Sequence, residues 1–185
     1  MKFCQTELPG VLVLEPTLFK DDRGYFLESW HAMRYQELGL PLFVQCNSAR
    51  SRFGVLRGLH YQLRTPQGKL VWVSSGEIFD VAIDIQVNSP TFGQWVGKVL
   101  SEGNHCQIYI PPGFAHGYCV LSDMAIVQYL CTEFYAPGDE FGLHWNEPSL
   151  RIDWPVDAPL VSPKDHALPT LGDIPENLLP VFGHN

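Results

Sequence analysis

The chain has 185 residues, of which 45% are hydrophobic and 17% charged, and it carries a formal net charge of −8. That composition allows a substantial core and excludes a disordered chain, and the length suits one domain spanning residues 1–185. The acidic balance argues against nucleic acid as a partner, because a phosphate backbone needs a basic face, but two or three local cations would still hold a small phosphorylated ligand.

In chain order, MKFCQTELPG opens without a secretory apolar region, being broken by Glu7, Pro9 and Gly10. VLVLE (11–15) reads as the first strand, and DDRGYFLES (21–29) as a polar turn leading into a strand. SWHAMRYQELGL (29–40) is the one helical window, with Ser29 as N-cap and Gly39 as stop. FVQCNSAR (43–50) is again strand-like. GVLRGLHYQLRTPQGK (54–69) opens as a strand but gathers Arg57, His60 and Lys69 within a charge-poor chain. Arg57 and His60 fall on opposite faces of an unbroken strand, so both can line one wall only if the strand bulges, and Gly58 is the place for that.

KLVWVSS (69–75) and EIFDVAIDI (77–85) follow as strands. In the second, Phe79, Val81, Ile83 and Ile85 share one face, while Asp80, Ala82 and Asp84 share the other, which is either a lined cavity or an open, solvated face. CQIYI (106–110) and AIVQYLCTEFY (125–135) are further strands, with PPGFAHGY (111–118) a rigid turn ahead of His116. From residue 136 strands thin out and prolines accumulate, as in a tail that wraps a β core. Short strands at intervals of about 8–15 residues, punctuated by 16 Gly and 15 Pro, predict an all-β sandwich or barrel. No βαβ period, internal repeat or linker is present.

The five cysteines are odd in number and form no C-x-x-C, which fits reduced thiols in a cytoplasmic protein. No apolar run approaches the roughly 20 residues that span a bilayer, so no membrane is expected. The seven histidines include no H-x-H or H-x-x-x-H pair, which disfavours a metal site. There is no G-x-S-x-G elbow, and the cysteines sit in apolar strands, where packing is their commoner role. Acid–base chemistry remains. A lone strand histidine is commonly structural, but Arg57 and Lys69 beside His60 would be costly on an inner wall unless an anion or a developing negative charge faced them.

The ordered motifs D-R-G-Y-F-L-E (22–28), Q-C-N-S (45–48), R-G-L-H-Y-Q (57–62), Q-G-K-L-V (67–71), D-V-A-I-D (80–84), S-P-T-F-G-Q-W (89–95), P-P-G-F-A-H-G (111–117), Y-A-P-G-D-E (135–140) and S-P-K-D (162–165) resemble the dTDP-4-dehydrorhamnose 3,5-epimerase family, a branch of the cupins. P-P-G-F-A-H alone is general to cupins; the specificity lies in the ordered set. The resemblance implies a cupin-type jelly roll with a few short helices and a C-terminal wrap. It also implies a nucleotide-sugar pocket without metal or cofactor, and a homodimer that exchanges an N-terminal segment. The implied reaction inverts C3 and C5 of dTDP-4-dehydro-6-deoxy-D-glucose, on the way to L-rhamnose for cell-surface polysaccharide.

By the same resemblance His60 is the base, Asp165 its carboxylate partner, Lys69 the cation beside the enolate and Tyr129 the acid. Unaided, Tyr129 would read as an ordinary strand aromatic, and a tyrosine with a pKa of about 10 needs tuning to act as an acid, a task expected of Lys69. Arg23, Phe26, Glu28, Gln45, Asn47, Arg57, His116 and Glu140 fall on ligand-contact positions, and Tyr135 on the aromatic that stacks on thymine. Arg23, Phe26 and Glu28 would reach the pocket of the partner copy. Gln86 departs from the arginine common in the family, and Cys46 and Tyr61 are milder variations. Relatives that invert one carbon only, a binding cupin without turnover, and a metal-dependent cupin enzyme are the rival readings.

Overall fold

In the computed structural model, which describes residues 1–183, the β-branched and aromatic runs form short strands that divide between two large sheets. The strands are β1 (Lys2–Gln5), β2 (Leu12–Glu15), β3 (Leu18–Asp21), β4 (Gly24–Leu27), β5 (Gln45–Arg52), β6 (Val55–Gln62) and β7 (Lys69–Ser75). They continue with β8 (Glu77–Asp84), β9 (Trp95–Ser101), β10 (Gln107–Ile110), β11 (Phe114–Val120), β12 (Met124–Cys131), β13 (Glu140–Gly142) and β14 (Leu160–Val161). Two short helices, α1 (Ala32–Glu37) and α2 (Pro163–His166), complete the frame. One sheet runs β1-β2-β10-β7-β12-β5 and the other β13-β6-β11-β8-β9, with β14 added parallel to β6. This is a cupin-type jelly roll.

The period-2 alternation of side chains sorts the core into layers. Val71 and Val73 of β7, Ile108 and Ile110 of β10, Ile78 and Ala82 of β8, and Phe114, Tyr118 and Val120 of β11 meet between the sheets. Leu59, Tyr61, Val81, Ile83 and Ala115 face the other way, and the C-terminal segment covers them with Leu143, Leu150, Leu171, Ile174 and Leu179. The predicted wrap is therefore an apolar lid on the outer face of the second sheet. Tyr35 of α1 and Leu40 close the outer face of the first sheet over Leu14, Leu70, Tyr109 and Leu130.

Several elements differ from the sequence reading. The helix begins at Ala32 with His31 as its N-cap. Ser29 instead offers its carbonyl to the Tyr35 hydroxyl and to Gln107, which ties the segment to β10. Gly39 does end the helix, at φ +85°. The 125–135 strand stops at Cys131, while the turn at Pro112–Gly113 does precede His116, which lies within β11. Asp80 and Asp84 are not solvated, at 0% and 1% exposure. Asp80 faces the barrel interior, and Asp84 collects the Ser89 and Thr91 hydroxyls and the Gln86 N–H in the turn that follows β8.

Two features position the site. On β6, the pairing with β11 slips: β11 advances two positions from His116 to Tyr118 while β6 advances three from His60 to Arg57. That bulge sits at Gly58, which has φ +108°, and the following Gly58–Leu59 peptide is cis. It puts Arg57 and His60 on the same inner wall. The second feature is the β3–β4 hairpin, which pairs only with itself and leaves Phe19, Tyr25 and Phe26 exposed. Among the described residues, no helix is long and apolar enough to cross a membrane.

Candidate active site

A cavity of about 430 Å³ opens between the sheets and is lined by Arg57, His60, Lys69, His116, Tyr129, Glu140, Lys164 and Asp165 among others. A second hollow of about 290 Å³ shares His60, Lys69, Tyr129 and Glu140, and adds Gln45, Asn47, Gln67 and Tyr135.

His60 Nε2 lies 2.7 Å from Asp165 Oδ1. Asp165 is delivered by α2, where the Ser162 hydroxyl caps the helix by accepting the Asp165 N–H and Pro163 starts the first turn. The other oxygen, Oδ2, accepts the Gly58 N–H at 3.2 Å. The bulge thus serves twice, turning His60 inward and aiming a backbone donor at the carboxylate that orients it. Burial by itself would raise the Asp165 carboxyl, but the hydrogen bond and charge of His60, with Gly58 and Ser162, hold it below the usual range.

Lys69 opens β7 beside Cys131 of β12. Burial pushes its ammonium down, against the opposing pull of Cys131, Asp80 and Glu140. Tyr129 projects into the same cavity from β12. Burial pushes its phenol up, Cys131 and Glu140 add to that, and Arg57 pulls the other way. The phenol keeps its proton at neutral pH and is a donor. Arg57 Nε donates to Ser51 Oγ at 3.2 Å.

Glu140 sits at the mouth. It is ion-paired to Lys164, accepts the Tyr135 hydroxyl at 3.3 Å, and has Oε1 3.8 Å from His60 Nδ1. Burial would raise its carboxyl, but Lys164, His60 and Tyr135 bring it below the ordinary value. Gln45 donates to Asn47 Oδ1 at 3.0 Å and accepts the Tyr135 backbone N–H at 2.9 Å, so these three expected ligand positions form one linked rim. Tyr135 itself is half exposed.

Arg23, Phe26 and Glu28 do not join this cavity in the single chain. Arg23 pairs with Asp21, Phe26 lines a separate hollow on the hairpin, and Glu28 pairs with Arg34. Sequence reasoning overlooked Lys164 and Asp80. Lys164 stands beside Asp165 in the quoted S-P-K-D, but its partner Glu140 lies 24 positions away. Asp80 Oδ2 meets His116 Nε2 at 2.8 Å, and only the face it shares with Ala82 hinted that it points inward. Among the described residues, no three His, Cys, Asp or Glu side chains cluster as metal ligands. The arrangement offers an imidazole oriented by a carboxylate, a lysine, and a neutral phenol on the walls of one cavity.

The chain matches the family model described as dTDP-4-dehydrorhamnose 3,5-epimerase over residues 5–173. A dTDP-4-dehydrorhamnose 3,5-epimerase of Pseudomonas aeruginosa is 54% identical over 168 residues, covering 89% of this chain and 93% of its own. A dTDP-4-dehydrorhamnose 3-epimerase of Streptomyces niveus is 38% identical, covering 98% of this chain and 90% of its own. Among solved structures, the dTDP-6-deoxy-D-glucose-3,5-epimerase of Legionella pneumophila, in complex with dTDP-4-keto-L-rhamnose, superposes with a TM-score of 0.96 at 50% identity, covering 99% of both chains. A match of this length and closeness, on a fold superposed over nearly every residue, means that the chain belongs to the dTDP-4-dehydrorhamnose 3,5-epimerase family.

Proposed function

We propose that this chain is an isomerase that inverts C3 and C5 of dTDP-4-dehydro-6-deoxy-D-glucose to give dTDP-4-dehydro-L-rhamnose, in dTDP-L-rhamnose biosynthesis. The observation that carries the reading is the 2.7 Å contact of His60 with Asp165 in a cavity that also holds Lys69 and Tyr129.

Each step has a residue suited to it. A proton on the carbon beside the C4 ketone is acidified by the carbonyl, and neutral His60 takes it, with Asp165 orienting the ring and stabilising the imidazolium. The electron pair moves into the C–C bond and the charge to O4, where Lys69 supplies a preorganised cation. Tyr129 then gives its proton to the opposite face of the carbon, which inverts it. The tyrosinate and the imidazolium return to their starting states by exchange with solvent before the second carbon reacts. Arg57 suits the pyrophosphate and the aromatic ring of Tyr135 suits the thymine.

The same reading makes residues 1–185 one domain, of which His184 and Asn185 lie outside the described residues, and puts the protein in the cytoplasm. It also makes the working unit a homodimer in which the β3–β4 hairpin crosses over and brings Arg23, Phe26 and Glu28 to the partner's cavity. The free-standing hairpin with its bare aromatic side chains supports this. The 38% identity to a 3-epimerase favours inversion of a single carbon as the second reading.

The test is proton NMR of dTDP-4-dehydro-6-deoxy-D-glucose with the protein in D2O, followed by trapping with a 4-ketoreductase. Deuterium at C3 and C5 with dTDP-L-rhamnose trapped is the expected result. Deuterium at one carbon selects the mono-epimerase, and none at either carbon overturns the reading.

A further inference from the structure

His116 is the direct cross-strand neighbour of His60, and it has a carboxylate of its own. The cavity therefore contains two imidazoles side by side on β11 and β6, each bonded through Nε2 to an aspartate. The aspartates differ. Asp165 shares its charge between His60 and the Gly58 N–H. Asp80 is sealed at 0% exposure, and among the described residues its Oδ1 has no hydrogen-bond partner and its Oδ2 has His116 alone.

A sealed carboxylate with one empty oxygen is expensive for a fold, and an apolar side chain at that place would pack at lower cost. Its one protein partner is a residue that lines the cavity. We propose that Asp80 is a positioning residue for the epimerisation proposed above: by accepting the Nε2–H of His116 it fixes Nδ1 as the nitrogen that His116 offers to the sugar nucleotide.

In this pairing Asp80 Oδ2 accepts, which places the proton between Asp80 and His116 on Nε2. The other nitrogen is left over. Among the described residues Nδ1 makes no hydrogen bond, and His116 lines the cavity. The identity of that free nitrogen decides what His116 can hold, because each ring nitrogen meets a ligand at a different place and with a different lone pair or proton. Asp80 also bears on Lys69, whose ammonium it favours, so one buried charge supports two groups on the same wall.

The test pairs kinetics with histidine-ring NMR. In the wild-type protein, long-range proton–nitrogen spectra should show His116 protonated at Nε2. Asp80→Asn, whose amide can present an N–H in place of the carboxylate oxygen, should shift that ring to the other tautomer and lower kcat by about 10–100-fold. Affinity for dTDP, to which Arg57 and Tyr135 also contribute in the proposed reading, should fall by less than kcat does, and Asp80→Glu should recover part of the rate. A purely packing role would lower thermal stability without moving the tautomer.

Wild-type rate in Asp80→Asn, or an unprotonated Nε2 in the wild type, overturns the proposal. If Asp80→Asn does not fold, the wild-type spectrum decides. A wild-type protein inert toward the keto sugar would overturn the proposed function instead, and the spectrum would still report on the Asp80–His116 pair.

Discussion

At His60 the two ring nitrogens face different surroundings: Nε2 is bonded to Asp165, while Nδ1 looks past Glu140 at 3.8 Å into the cavity. The first contact sets the ring, and the second leaves room for a substrate hydrogen. Because Asp165 is held below the usual carboxylate range, it stays charged at neutral pH and can stabilise the imidazolium. Replacing His60 with Ala should slow deuterium exchange into the sugar by about 10²–10⁴-fold, the usual contribution of a general base. Binding of dTDP, followed by calorimetry, should be nearly unchanged, and retention of most of the exchange rate would remove His60 as the base. At this scale the sequence was uneven. His60 and Lys69 drew notice because charge is scarce in the chain and they lie nine positions apart. Asp165 lies 105 positions from His60, and only family motifs suggested the pair. Asp80 could not be matched to His116 because the pairing of β8 with β11 is a product of the fold.

The bulge on β6 is the element on which the site turns. A Cβ on Gly58 would lie 2.6 Å from the His116 carbonyl oxygen and 2.8 Å from Gly117 Cα, both main-chain atoms, at a φ that L-residues rarely adopt. Gly58→Ala should therefore destabilise the protein by at least about 3 kcal/mol, measured by urea unfolding, with loss of activity in whatever folds. Wild-type stability would mean that the strand relaxes without a bulge. The need for this bulge was legible from parity alone, since Arg57 and His60 can share a wall of a straight strand no other way. The strands β7, β8 and β10 were equally plain, because their runs of β-branched and aromatic residues are dense and Gly or Pro bounds them. The missed elements have physical reasons. β1 and β3 bury little, and β9 exposes part of both faces, so none of them shows a clean period, whereas β4 was read as the strand that follows the polar turn. The helix start was misplaced because Ser29 spends its carbonyl on Tyr35 and Gln107, while His31, an unusual cap, accepts the Arg34 N–H.

Over the whole molecule, a net charge of −8 coexists with a cavity that gathers Arg57, Lys69 and Lys164. Composition reported the sum and excluded a nucleic-acid surface, but it carried no information about where the cations meet. The C-terminal wrap was readable in outline from the fading of strands after residue 136, although its role as an apolar cover depends on long-range contacts. Its attachment includes Asp139, which accepts the Arg64 and Thr65 N–H groups and the Thr65 hydroxyl. Burial acts to raise that carboxyl, and these donors win and hold it low. A folded value below the unfolded one stabilises the fold fully above about pH 4, and the gain is lost as pH falls through the folded value. Asp139→Ala should accordingly cost about 1–3 kcal/mol at pH 7, a difference that shrinks below about pH 4 in parallel denaturant titrations. A cost independent of pH would assign it to packing. The hairpin has the widest reach. The Arg23 side chain on its turn is 90% exposed and, among the described residues, bonds only to Asp21. If the arm completes a neighbour's cavity, two defective chains can make one sound site: mixing Arg23→Ala with His60→Ala protein should restore turnover that neither has alone. Output would then rise with the square of protein concentration at low abundance, so that a cell making half as much of this chain would lose more than half of its flux.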